Sequence, residues 1–252
     1  MDTSSEQFQT LHQDMLTFVN TCMAGHDPSH NPAHVHRVAN LANTILEAEQ
    51  KNSSPAQPPL DAAVVKLAAL LHDIGDRKYL PSLAAATSSI STGASDQSTT
   101  ASTYSAEDID PKTMVQVALL KHGAPADLAA KVQMVVSHVS YTTECKDPVR
   151  IRRLIDEEGY PELAVVQDAD RLDAIGAIGI GRTFTFLGAQ GKKFAGENGW
   201  EMGNCIEHFV EKLERLEGMM KTKTGRAMAR ARTERLKIFR GWWEEEMSAA
   251  TA

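Results

Sequence analysis

Cysteine is scarce in this chain. Cys22, Cys145 and Cys205 are spread over 252 residues with no CxxC pair, which excludes a disulfide framework and a cysteine-based zinc motif. A reducing compartment follows from that, cytoplasmic first and nuclear second. Long apolar runs are missing as well. No stretch approaches the ~18 residues needed to span a bilayer. The first 25 residues carry Asp2, Glu6 and Asp14 without an apolar core, so no signal peptide is expected. Positive charge is not in excess either. The 26 Lys and Arg are outnumbered by 33 Asp and Glu, for a formal net charge of −7. Such a field repels a nucleic acid polymer, and phosphate chemistry would need a local cation or a metal ion. Sustained strand alternation is absent throughout, so the expected fold class is all-α.

What the chain does have is helical periodicity and enough apolar content, 42%, to bury a substantial core. Phe8, Leu11, Met15, Phe18, Val19 and Cys22 predict a helix over 6–24. Asn31 and Pro32 form a helix start for 33–51, whose apolar stripe runs His34, Val38, Leu41, Ile45 and Ala48. His36 points elsewhere, and Arg37 lies close to the His34 face. After a loop at 52–59, Val64, Val65, Leu67, Ala68 and Leu71 form the stripe of a helix expected to end near Gly75. His72 continues that stripe, and Asp73 sits about 100° round the helix from it.

Residues 82–106 are dominated by Ser, Thr and Ala and read as a flexible insertion that packs little. Helices are expected at 112–123, 125–141 and 148–158. A longer one over 162–187 places Val166, Asp170, Asp173, Ala177 and Ile180 on one face. Gly176, Gly179 and Gly181 fit neither a dinucleotide fingerprint nor a P-loop, and close helix packing explains them better. A Gly-rich stretch at 188–204 reads as a loop, with a lid as one use for it. Two helices, 205–220 and 224–246, follow with Phe209, Leu213, Leu216, Phe239, Trp242 and Trp243 as expected core. The chain is taken as one domain over 1–252 with a loose tail at 247–252.

Three separate helices thus place ligand-type side chains on apolar faces: His34, then His72 with Asp73, then Asp170. A carboxylate beside a buried face costs several kcal/mol unless it is paired or bound to a metal. Two imidazoles and two carboxylates suit a divalent ion such as Mn, Fe, Co, Ni or Zn. The plainer alternative for His34 is a histidine near a helix start satisfied by backbone. For Asp168 and Asp173 it is a supporting or surface acid.

The runs HVHRV at 34–38, LLHDIGDRKY at 70–79 and VQDADRLDAIGAIGIGRTF at 166–184 resemble the H…HD…D signature of the HD-domain metal-dependent phosphohydrolases. They are most similar to small HD hydrolases, some of which are nucleoside triphosphate pyrophosphohydrolases. The resemblance covers roughly 20–240 apart from the insertion, and implies an all-α HD-domain helical bundle. It implies that His34, His72, Asp73 and Asp170 hold a divalent metal (Mn, Co, Ni, Fe or Mg). It gives Asp76 the role of positioning or deprotonating the attacking water. Arg37, Lys78 and Arg171 become candidates for neutralising phosphate charge, with Arg182 behind them. His122 and His138 are candidates for a second metal.

The expected activity is hydrolysis of a phosphoanhydride or phosphoester in a small phosphorylated substrate, a nucleotide first. No nucleic acid polymer and no membrane partner is expected, and a homodimer is left open. The alternatives are a two-metal phosphodiesterase or di-iron oxygenase on the same fold, or a catalytically silent HD module that binds a nucleotide or partner.

Overall fold

The computed structural model describes residues 1–53, 59–74, 110, 112–194 and 201–250. Asp76, Lys78, the 82–106 insertion and residues 195–200 of the Gly-rich stretch lie outside them. Among the described residues the protein is helical, with no strand, as the missing alternation required.

Helix α1 (Glu6–Met23) starts where the Ser5 hydroxyl accepts a bond from the Phe8 amide, and it buries the predicted stripe from Phe8 to Cys22. Helix α2 (Pro32–Lys51) starts as read, with Asn31 Oδ1 accepting from Ala33 N at 3.1 Å and Pro32 in the first turn. In α3 (Ala62–Leu71), capped by Asp61, every residue but Ala62 and Lys66 is buried. A helix apolar nearly all round belongs in the middle of a core, where each buried Val or Leu contributes about 1.5–3 kcal/mol relative to exposure.

The helix is shorter than its periodicity predicted. It ends at Leu71, and His72 and Asp73 sit in the turn just beyond, closed by Ile74 N bonding Leu71 O at 3.0 Å. The His72 ring bonds the Ala69 carbonyl at 2.8 Å. That satisfies a carbonyl a continuing helix would have claimed.

Helices α4 (Met114–Lys121) and α5 (Ala126–Val136) pack on each other, and α5 also packs on α3. The 125–141 expectation breaks after Val136. Ser140 caps a new short helix, α6 (Tyr141–Lys146), and α7 (Pro148–Asp156) follows it. The single helix expected over 162–187 is two, α8 (Glu162–Asp173) and α9 (Gly176–Phe194). Gly176 adopts a φ of +74° at the joint, a conformation open chiefly to glycine. Gly179 allows the close approach: a Cβ there would lie 2.2 Å from the Ala174 carbonyl oxygen. Helix α9 also occupies part of the stretch read as a loop, since it runs on to Phe194.

Helix α10 (Gly203–Glu211) passes into a 3-10 turn (Leu213–Met219), and α11 (Lys223–Ala250) closes the chain. The tail expected to be loose from 247 is helical as far as Ala250. An aromatic cluster joins α9, α10 and α11. Phe184 lies 6.5 Å from Phe209, 6.0 Å from Phe239 and 5.8 Å from Trp243 between ring centroids. Trp242, expected in the core, is 61% exposed. Adjacent helical positions point about 100° apart, so only one of the two tryptophans can face Phe184.

Three of these elements carry the site. Helix α2 lies against α3 and α8, and α3 lies against α8. The start of α2, the end of α3 and the last turn of α8 therefore meet at one place.

Candidate metal centre and cleft

Two imidazoles face each other at that meeting point. His34 Nε2 and His72 Nε2 are 3.2 Å apart, and both side chains are buried. Their other nitrogens fix the tautomers. His72 Nδ1 donates to the Ala69 carbonyl, which can only accept, and His34 Nδ1 donates to Asp173 Oδ2 at 2.7 Å. With both rings neutral, the two Nε2 atoms would present lone pairs to each other, which repel unless positive charge lies between them.

Carboxylates complete the surroundings. Asp73 Oδ2 is 3.4 Å from His34 Nε2 and 3.5 Å from His72 Nε2. Asp170 Oδ1 is 3.7 Å from each. His34, His72 and Asp170 offer donor atoms within 4.8 Å of one another. Asp73 Oδ2 is buried and has no hydrogen-bonding partner among the described residues. Donors bound about 2.1 Å from a common ion stand ~3.0–3.5 Å apart in tetrahedral or octahedral arrangements. The observed 3.2 to 3.7 Å separations fit a divalent ion of that kind.

The electrostatics point the same way. Burial alone would push Asp73 up, but His72, His34 and His30 together hold its carboxyl below the usual carboxylate range. Burial likewise opposes the charged form of His34, yet the nearby carboxylates of Asp173 and Asp73 raise its pKa. Both shifts describe a pocket that attracts positive charge.

Asp173 is a hub behind the imidazoles. Besides His34, it takes Arg37 Nε at 2.8 Å, Arg37 Nη2 at 3.0 Å and Arg182 Nη1 at 3.2 Å. Burial would raise its pKa, but His34, Arg37 and Arg182 lower it well below the ordinary value. A carboxylate behind a ligating imidazole fixes the ring and raises its basicity. Arg37, expected to neutralise substrate charge, is instead spent in a bidentate pair with this acid.

Arg171 is placed away from the cleft. It is 2% exposed and bonds Glu144 and the Met219 carbonyl. Its bond to the Met219 carbonyl turns it toward the 3-10 turn. His36 bonds Asn20 on the surface, as expected. His122 Nδ1 pairs with Asp14 at 3.2 Å and His138 Nδ1 with the Met134 carbonyl at 2.8 Å. Neither joins the cluster.

The cluster opens into a cleft of about 630 Å³ that includes Ser29, His30, Arg182, Phe186, Tyr141, His208 and Lys212. The sequence reading left most of these out. His30 is fixed from behind: the Ser29 hydroxyl donates to Asp27 and accepts from His30 Nδ1 at 2.7 Å. Arg182 Nε donates to the Ser29 carbonyl at 2.8 Å, joining that loop to Asp173. Asp27, Ser29 and His30 are adjacent in sequence, so this local chain of bonds was there to be noticed. Lys212 carried no such signal.

The model of the HD domain family matches residues 33–175. The chain belongs to the HD-domain superfamily. It is 30% identical over 223 residues to the uncharacterized protein YpgQ of Bacillus subtilis, covering 87% of this chain and 85% of that one. The crystal structure of B. subtilis YpgQ in complex with ADP is similar to this HD-domain fold at a TM-score of 0.63. There the identity is 28%, over 95% of this chain and 96% of the other. An HD-superfamily hydrolase from Bacillus thuringiensis has a TM-score of 0.60 at 23% identity, over 96% and 99% of the two chains. That likeness speaks for the HD fold alone. An HD domain implies divalent metal binding, and the cluster of His34, His72 and Asp170 fits such a site.

Proposed function

We propose that this chain is a metal-dependent phosphohydrolase acting on a nucleotide through one divalent ion. The observation that carries the reading is the pair of imidazole Nε2 atoms held 3.2 Å apart with carboxylates beside them. His34 and His72 would ligate through Nε2, and Asp73 and Asp170 through their carboxylates. Asp173, held by Arg37 and Arg182, keeps the His34 ring turned inward. A divalent ion there supplies an acidified water and an electrophilic contact for a phosphoryl oxygen. Asp76, three residues after Asp73, is the proposed acceptor of the water's proton. With His122 and His138 bonded elsewhere among the described residues, the one-ion reading is favoured over two-metal or di-iron chemistry.

A nucleotide suits the cleft. Its volume lies within the ~300–1,000 Å³ usual for small-molecule sites, and the similar YpgQ was crystallised with ADP. The test is a panel of nucleotides with Mn, Co, Ni or Mg, scoring phosphate against pyrophosphate release. Asp73→Ala should lose both the ion and turnover, while Asp76→Ala should keep the ion and lose most of the rate. Turnover by Asp73→Ala at the parent rate, or a purified protein that retains no ion, would end the reading.

A further inference from the structure

Helix α11 runs for 28 residues, Lys223–Ala250, a length of about 42 Å at a rise of ~1.5 Å per residue. One side of it packs on α2, α8, α9 and the 3-10 turn. Along the other side Ala227, Ala231, Ile238, Trp242 and Ala249 fall within ~60° of one another at about 100° per residue, and all five are exposed. Trp242 is 61% exposed and Ile238, one turn before it, 44%. A single apolar residue on a surface is ordinary, but an isoleucine and a tryptophan stacked on one open helix face form a patch. Gly241 borders it. A Cβ there would meet nothing within 4 Å, so no packing inside the chain calls for a glycine, which weakens a helix interior. A second backbone lying close would call for one.

Charge along α11 decides what suits that face. Its first half holds Lys223, Arg226, Arg230, Arg232, Arg235 and Lys237 against one acid, Glu234, while Glu244, Glu245 and Glu246 crowd the far end. Another copy of the helix laid parallel would set like charge on like. Laid antiparallel, it sets each half against its opposite, and charges so arranged fix register and orientation. The register that puts Ile238 against Trp242 of the second copy also puts Ala231 against Ala249. It brings Arg235 level with Glu245 and Glu246 of that copy. None of these three charges forms an ion pair among the described residues.

We propose that α11 joins two copies of this chain, the helices lying antiparallel about a two-fold axis at the level of Arg240. Such an interface is isologous, so every pairing in it occurs twice. Ile238 and Trp242 form the apolar centre, a large aromatic side chain being where binding energy concentrates. Arg235, with Glu245 and Glu246 of the second copy, forms the charged rim.

Sedimentation velocity of the full chain over about 1–100 μM tests this, a range suited to a small specific interface. The parent should reach twice the mass of one chain. Ile238→Ser with Trp242→Ser should raise the dissociation constant roughly tenfold or more, through loss of the central anchors. Helical circular dichroism should stay unchanged, because both positions face solvent. Arg235→Glu alone should weaken the dimer as well, and adding Glu245→Arg and Glu246→Arg should restore most of it. That rescue identifies the occupant as a second copy, since an unrelated partner would not change its charges in step. A parent that stays monomeric at the top of the range overturns the proposal. So does a dimer indifferent to the double variant, or a charge reversal that the compensating changes fail to rescue.

Discussion

At the scale of single residues, Asp173 organises the centre without being one of its donors. It takes one bond from His34, two from Arg37 and one contact from Arg182, at 2% side-chain exposure. Asp173→Asn keeps the shape and removes the charge. Manganese affinity should fall about 10–100-fold, the usual cost of losing a carboxylate behind a ligating histidine. Equilibrium dialysis against the parent protein measures it. The sequence made the four proposed donors visible because each is a polar group placed on or beside an apolar stripe. Asp173 was visible on the same face as Asp170 as a supporting or surface acid, but which groups it holds was not. That depends on Arg182 and Arg37, whose distances from Asp173 in space do not follow from their places in the chain.

At the scale of elements, stop signals proved harder to read than start signals. Asn31 with Pro32 marks its helix directly, because a cap is a local event. The ends of α3 and α8 were missed because the periodicity runs past them. At α3 the His72 ring takes over a backbone carbonyl, and at α8 Gly176 supplies a positive φ.

The start of α11 shows how tightly one element can be fitted to another. Asp168 on α8 accepts bonds from Lys221 N, Thr222 N and Thr222 Oγ1, and Gly225 N donates to the same Thr222 hydroxyl. A Cβ at position 225 would fall 2.3 Å from Asp168 Oδ2. Gly225→Ala should therefore lower stability by about 1–3 kcal/mol through overpacking, despite alanine's better helix propensity. The shift in denaturation midpoint at constant slope gives the value.

At the scale of the whole molecule, the all-helical architecture followed from the patterning, while the cleft did not. Its lining comes from the 29–30 loop, α6, α9 and the end of α10, segments brought together only by tertiary packing. Charge also links distant parts of the chain. Glu144 on α6 pairs with Arg171 on α8 and with Lys221 Nζ at 2.9 Å, ahead of α11. Burial would raise the Glu144 pKa, but Arg171 and Lys221 lower it. A depressed carboxyl pKa adds stability above the unfolded-state value of ~4.3, and that stability is lost as pH falls through the folded value. Glu144→Gln should thus cost about 1–3 kcal/mol at pH 7. The gap between the two proteins should close as the pH drops below ~4.3, in denaturant melts run across that window.

The side chains that meet at the two facing imidazoles start far apart along the polymer, His34 and Asp170 by 136 positions. An ion gripped there would act as a removable rivet on a very long loop. Tying off a segment of that size withdraws roughly 4–5 kcal/mol of freedom from the unfolded chain in the cross-link picture. The same atom that readies water for attack would then hold the bundle shut, and a chelator would loosen the architecture along with the chemistry.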